Sequence, residues 1–322
     1  MSLSHRLLLA CLLLWLAACD SREKKTRIAV IPKGTTHIYW RSIHAGAAKA
    51  AQESGVEILW QGPQQEGDRQ RQIEIVQNQI SQGVNAIVLA PLDSRSLVPS
   101  VSTARKRNIP VIIIDSSLEG EEYESFIATD NHKGGYLCAK RLSELLGGKG
   151  KILMLRYMEG SASTEQREQG FLDGMAEFGG EIELLPHDQF SGATMEKALA
   201  VSQNLLNRYP EIDGIFCPNE SSTQGMLRAL QTAGKAGQLQ FVGFDINDAL
   251  LEGLKNRQIH GLALQDPFHM GYIGVLTALK VLGKETPERR IDTGVRLLTL
   301  DNLEDPEIQT LVNPELEKWL QD

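Results

Sequence analysis

Cysteine is scarce in this chain of 322 residues, and so is basic charge. Only Cys11, Cys19, Cys138 and Cys217 occur, and the first two belong to an apolar N-terminal stretch. Two remaining thiols make no disulfide framework, and no pair has the spacing of a zinc site. Cys138 falls in a predicted helix and Cys217 at a predicted strand end; buried free thiols are the expected state, a single disulfide the alternative. With 41 acidic against 33 basic side chains and a net charge of -8, the chain lacks a basic stripe, which argues against nucleic acid as a partner. Enzyme signatures are missing too. There is no G-x-S-x-G elbow, no H-E-x-x-H, no Walker-type loop, and no G-x-G-x-x-G that follows a strand and opens a helix. No metal or cofactor is expected.

Disorder and fibrous classes are excluded by the 42% hydrophobic and 23% charged content, and the length points to two domains. At the N-terminus, His5 and Arg6 precede an unbroken apolar run over residues 7–18, too short to cross a bilayer core of ~30 Å. It reads as an export signal. Leu16-Ala17-Ala18-Cys19 resembles a bacterial lipobox, which makes Cys19 the expected lipid-modified N-terminus of a mature protein; a plain signal peptide is the alternative. Asp20 resembles an inner-membrane retention signal, and polar residues 20–26 suit a tether.

From residue 27 onward, apolar runs alternate with amphipathic segments. Ile28-Ala29-Val30-Ile31 has no polar alternation, as in a strand buried on both faces, and it opens into a loop carrying His37, Tyr39 and Trp40 before a helix. Further strands are predicted over 56–60, 85–90, 110–115, 151–155, 213–217, 240–245, 261–265 and 294–300. Helices are predicted over 69–82, 136–146 and 266–282, with helix-like sequence over 304–320. In the helix over 69–82, Ile73, Val76 and Ile80 mark the inward face, and the intervening polar side chains are expected to meet water. The pattern predicts α/β architecture with parallel sheets covered on both faces. It runs once to about residue 129 and begins again at Asp130, so two similar lobes are expected.

The polar residues at the ends of the apolar runs carry the functional reading. Asp115-Ser116, Asn219-Glu220, Asp245 and Gln265 each close a predicted strand. In a parallel sheet these positions line one edge, where ligands bind. Turn chemistry accounts for any one of them alone. Asp115 and Asp245 also leave open a glycosidase-like carboxylate pair.

Several stretches together resemble the ribose-type periplasmic sugar-binding proteins: Val242-Gly243-Phe244-Asp245, Asp130-Asn131 with Gly134-Gly135, residues 162–171 with Arg167 ahead of Gly170-Phe171, and residues 227–234. The resemblance covers residues 27 to about 300, in order. It implies two Rossmann-like lobes joined by three crossovers near Thr129, Gln265 and Thr293, closing on a sugar. The implied lobes are 27–129 with 266–293, and 130–265 with 294–322, after a signal over 1–19 and the tether over 20–26. The implied ligand contacts are His37, Tyr39, Trp40, Asp115 and Ser116 from the first lobe, Arg167, Phe190, Asn219 and Asp245 from the second, and Gln265 at a crossover. His37 stands where ribose binders commonly place Asn, and Ser116 where an Arg often follows the strand-end Asp, so ribose itself is not implied. The expected protein is a monomeric, non-enzymatic binder of a small carbohydrate or polyol. It would be lipid-anchored at Cys19 to the inner membrane, face the periplasm and serve the permease subunits of an ABC importer. A sensory subunit with the same pocket, presenting to a membrane kinase or chemoreceptor, is the alternative.

Overall fold

Two six-stranded sheets, each covered by helices on both faces, make up the computed structural model, which describes residues 25–320. The proposed signal and Cys19 lie outside the described residues. The first sheet contains β1 (Arg27–Ile31), β2 (Glu57–Trp60), β3 (Ala86–Leu89), β4 (Val111–Ile114), β5 (Ser125–Ala128) and β11 (Arg290–Asp292), in the order β11-β5-β4-β3-β1-β2 and parallel throughout. The second contains β6 (Lys149–Met154), β7 (Glu181–Leu184), β8 (Gly214–Phe216), β9 (Gln240–Phe244), β10 (Gly261–Leu264) and β12 (Arg296–Leu298), in the order β12-β10-β9-β8-β6-β7. Only its edge strand β12 runs antiparallel, against β10. The central strands β3 and β4 are buried at every residue, which is why they read as unbroken apolar runs.

Three strands escape the hydrophobic pattern for identifiable reasons. β7 reads Glu-Ile-Glu-Leu with exposed acids alternating, and β11 reads Arg-Ile-Asp; both are edges with one wet face. β5 is four residues long and begins with Ser125.

The helices that seat the site are α1 (Ile38–Ser54), α2 (Arg69–Ser81), α4 (Asn131–Leu146), α5 (Ala162–Phe178), α7 (Glu220–Thr232) and α9 (Pro267–Leu282), with α3 (Val98–Lys106) and α6 (Met195–Arg208) between them and α8 (Asp248–Lys255) before α9. Asp130 caps α4 by accepting from Lys133 N, as its sequence position suggests. In α2 the expected division of polar and apolar residues fails. Gln72 and Gln79 are buried, whereas Ile73 is only half-buried. Gln72 Nε2 donates to the carbonyls of Pro32 and Ala90, and its Oε1 accepts from Leu92 N, so a buried amide ties together the ends of β1 and β3.

Two glycines let helices approach at backbone distance. A Cβ on Gly46 of α1 would lie 1.9 Å from the carbonyl oxygen of Phe268 in α9, and one on Gly135 of α4 would lie 1.9 Å from that of Arg167 in α5. Tyr39 and Trp40 on α1 and Arg167 on α5 take their positions from these contacts.

The tail departs from expectation. Residues 304–320 form only α10 (Pro306–Val312) and a short 3-10 turn over Leu316–Lys318, because Pro314 lacks the N–H that would continue a helix. The end of the tail also leaves the second lobe, in which the resemblance puts 294–322, and lies against α1: Arg41 Nη2 is 2.9 Å from Glu317 Oε1, and Lys49 Nζ sits 5.5 Å from the Trp319 ring centroid.

Candidate functional site

In sheets of this strand order, chain reversal occurs between β1 and β3 in one lobe and between β6 and β8 in the other, and the carboxyl ends of the strands converge there. The two edges face each other. Lys33 follows β1, and its buried Nζ lies 2.6 Å from Asp115 Oδ2 while donating to Ser116 Oγ at 2.8 Å and to Ser163 Oγ of the second lobe at 3.1 Å. Tyr39 OH donates to Asp115 Oδ1 at 2.9 Å, with Gln265 Oε1 at 3.3 Å. Burial, reinforced by the charges of Asp115 and Asp245, holds the Tyr39 phenol far above its ordinary pKa, so it stays a donor.

Glu66, from the loop after β2, collects donors from both lobes. Trp40 Nε1 donates to its Oε1 at 2.6 Å, His37 Nδ1 lies 3.1 Å from the same oxygen, and Tyr157 OH of the second lobe donates to Oε2. Burial alone would raise Glu66, but the hydrogen bond and charge of His37, with Lys33 and Tyr157, bring it down to about 2. Burial would likewise lower His37, yet Glu66, with Glu220 and Asp245 farther off, carries it up to about 9. At neutral pH this is an ion pair.

On the opposite wall Arg167 is held from three sides. Its Nε donates to Asn131 Oδ1 at 2.8 Å, Nη1 donates to Pro218 O at 3.0 Å, and its guanidinium lies 4.3 Å from the Phe244 ring centroid. Asp245 Oδ2 lies 3.9 Å from Nη1 and accepts from Glu220 N, while Oδ1 accepts from Gln265 Nε2 at 2.6 Å. Burial raises the Asp245 carboxyl against the pull of Arg167 and Gln265. Asn219 caps α7: its Oδ1 accepts from Ser222 N and Oγ, and its Nδ2 donates to Ser221 Oγ at 3.1 Å.

Eight of the ten predicted contacts therefore line one cavity: His37, Tyr39, Trp40, Asp115, Arg167, Asn219, Asp245 and Gln265. Two do not. Ser116 is buried behind the wall, where its Oγ accepts from Lys33 Nζ and from Ser163 N. Phe190 is 38% exposed and lies over Arg156, 4.5 Å from ring centroid to guanidinium carbon. Backbone bonds from Arg156 N to Gln189 O and from Ser191 N to Arg156 O set the register there, so Ser191 points inward and Phe190 outward. Glu220, named with Asn219 at a predicted strand end, lines the cavity as well; sequence reasoning missed Lys33, Glu66, Tyr157, Ser161, Ser163 and Thr164, which also line it. Lys33 and Tyr157 stand just past strand ends, so position alone could have found these two. Glu66 lies in a loop between elements and carried no signal.

Direct bonds between the lobes enclose this cavity. Besides Lys33 to Ser163 and Tyr157 to Glu66, Ser163 N donates to Ser116 Oγ at 3.0 Å and Ser94 N to Gly160 O at 3.1 Å. The enclosed space is about 30 Å³, far below the ~300 Å³ at which ligand sites begin, so a ligand enters only when the lobes part. A separate cavity of about 370 Å³ shares Tyr39, Asp245 and Gln265, but Ile246, Leu251, Leu264, Leu311 and Val312 give it an apolar lining unsuited to a polyol. Among the described residues no cluster of three His, Cys, Asp or Glu side chains is placed to hold a metal ion.

Comparison with known proteins places this geometry among relatives. Residues 28–286 match the model of the periplasmic binding protein domain. The D-ribose/D-allose-binding protein of Pseudomonas aeruginosa is 31% identical over 318 residues, covering 92% of this chain and 98% of that protein. The ribose import binding protein of Bacillus subtilis is 28% identical, covering 93% and 97%. Among solved structures, a carbohydrate transporter solute binding protein from Agrobacterium radiobacter, in complex with D-arabinose, superposes with a TM-score of 0.87 at 34% identity, covering 90% of this chain and all of that one. An ABC transporter solute binding protein from Agrobacterium vitis with bound D-fucose gives 0.86 at 36% identity, covering 89% and 100%.

Proposed function

The chain belongs to the periplasmic binding protein domain family, and from that premise we propose that it captures a small sugar or polyol between its two lobes for an ABC importer. It is a sugar solute-binding protein of the periplasm, and its family binds without enzymatic turnover. One observation supports the mode of capture above the others: Tyr39, Asp115 and Lys33 on one lobe face Arg167, Asn219 and Asp245 on the other across a single buried cavity. Sugar hydroxyls each donate and accept, so carboxylates, amide and guanidinium can pair with them by charge-assisted bonds, while aromatic rings cover C–H faces. A ligand that bonds both walls favours the closed arrangement through contacts absent when the lobes part, and the importer would recognise that closed surface.

The Leu16-Ala17-Ala18-Cys19 sequence and Asp20 support a lipid anchor at Cys19 holding the protein at the inner membrane, with residues 20–26 as tether. Palmitate labelling of intact cells tests the anchor: label is expected on the native protein and not on Cys19→Ser. Thermal-shift screening of pentoses, hexoses and polyols tests the binding reading. A true ligand at ~100 times its Kd is expected to stabilise by about 2.7 kcal/mol and to reduce the radius of gyration in small-angle scattering. A panel with no stabilising member would refute the assignment.

A further inference from the structure

The ionisable side chains around the cavity do not all pair off. Four carboxylates line it, Glu66, Asp115, Glu220 and Asp245, against three cationic side chains, Lys33, His37 and Arg167. His37 pairs with Glu66 at 3.1 Å, Lys33 with Asp115 at 2.6 Å, and Arg167 with Asp245 at 3.9 Å. Glu220 is left over: it takes part in no ion pair among the described residues. Its side chain is nonetheless buried, with the residue 7% exposed. Oε1 accepts from Asn247 Nδ2 at 3.0 Å, whereas Oε2 is fully buried and receives no hydrogen bond from the protein. A buried carboxylate oxygen without a donor costs more than one hydrogen bond returns, so such an atom in a binding cleft marks a place where a ligand supplies the donor.

We propose that Glu220 is a specificity-determining contact of this site, reading a donor group on the ligand and favouring a protonated amine over a hydroxyl at that position, so that amino-deoxy sugars belong to its ligand class. The inference rests on the reading of the cleft as a sugar site. Desolvating an ammonium is ordinarily costly, but here the surplus acid supplies the missing counter-charge inside the cavity. Burial pushes Glu220 up to about 7 against the pull of His37 and Asn247, with Asp245 and Glu66 adding to the rise, so the group is poised to ionise when a cation arrives. A hydrogen bond to an ionised group is about twice as strong as one between neutral groups, so an ammonium on the ionised acid in place of a hydroxyl on the protonated one sets the expected gain at roughly tenfold in affinity.

Calorimetry at pH 7 with D-ribose, D-allose, D-arabinose and D-fucose, beside their amino-deoxy counterparts substituted at each ring position, tests this. At least one amino-deoxy sugar is expected to bind about tenfold more tightly than its parent. In Glu220→Gln the ratio of amino-deoxy to parent affinity is expected to fall to about one, whatever the loss in affinity for the parent sugar itself; Glu220→Asp, which keeps the charge on a shorter arm, is expected to retain part of the preference. The proposal is overturned if every amino-deoxy sugar binds more weakly than its parent in the native protein, or if the preference survives in Glu220→Gln. Neutral sugars binding without any amine preference would sink the role of Glu220 and leave the sugar reading standing, whereas binding of neither class would remove both.

Discussion

Asp115 and Asp245 occupy the same place in the two sheets. Each follows the last residue of its strand with positive φ, 64° and 66°, and each donates its N–H across to the next strand, to Ile127 O at 3.0 Å and Ala263 O at 2.9 Å. Left-handed backbone is costly for most side chains and tolerated by Asp and Asn. The same turn thus delivers one carboxylate from each lobe into the cleft. Asp245→Asn keeps a residue that accepts this backbone but offers one acceptor to the two donors Glu220 N and Gln265 Nε2, so a stability loss of about 1–3 kcal/mol is expected while ligand affinity falls roughly tenfold or more, as charge-assisted bonds become neutral ones. Asp245→Ala is expected to add a stability loss of about 1–2 kcal/mol from the strained φ. Calorimetry with thermal melts separates the two losses.

The seat of Arg167 is expected to fail through a residue that never touches the cavity. Gly135→Ala puts a methyl 1.9 Å from the Arg167 carbonyl, so α4 and α5 must move apart. Overpacking of this kind costs about 1–3 kcal/mol. Because Arg167 travels with α5, its bonds to Asn131 and Pro218 are strained together. Denaturant unfolding is expected to show the stability loss, and titration a weaker affinity for the ligand.

Most strands were legible because burial on both faces leaves only apolar residues in them, as Val111 to Ile114 illustrate. The strand-end polar residues were legible for the same reason, since a side chain such as Asp245 is conspicuous at the close of an apolar run. Edge strands were not: the exposed acids of β7 conceal it. Glu66 stayed hidden because a loop residue shows no periodicity, and its partners Trp40 and Tyr157 are 26 and 91 positions away. Phe190 misled because the resemblance carries a contact onto a loop whose register the sequence leaves open, while the backbone bridge to Arg156 decides which way the loop faces.

Stability is expected to depend on pH through the His37–Glu66 pair, with a sign for each arm. The folded protein keeps the His37 proton to about pH 9, whereas the unfolded chain releases it near 6.5. The contribution is therefore complete below about 6.5 and lost as pH rises through 9. Glu66 holds its charge down to about 2, against an ordinary value of 4.5. Its contribution is complete above 4.5 and lost as pH falls through 2. The stability difference between native protein and His37→Gln is expected to be flat from about pH 4.5 to 6.5 and to shrink on both sides. Urea unfolding across this range checks it; a difference that grew above pH 6.5 would contradict the pairing.

Tyr157 and Trp40 bind the same carboxylate but are expected to behave differently when altered, because only one of them crosses between lobes. Trp40 and Glu66 share a lobe, so their bond is equally present when the lobes are apart, and Trp40→Phe should lower stability without changing closure. Tyr157 reaches Glu66 from the other lobe. In Tyr157→Phe the closed state holds a buried carboxylate oxygen short of one donor, at a cost of about 1–3 kcal/mol, while in the open state water satisfies it. The equilibrium should therefore move toward opening by roughly tenfold, and apparent affinity should fall by the lost fraction of the closed form. Small-angle scattering is expected to show a larger radius of gyration for ligand-free Tyr157→Phe than for Trp40→Phe, with saturating ligand returning both to the native value. Equal radii for the two ligand-free variants would mean that the Tyr157–Glu66 bond does not hold the lobes together.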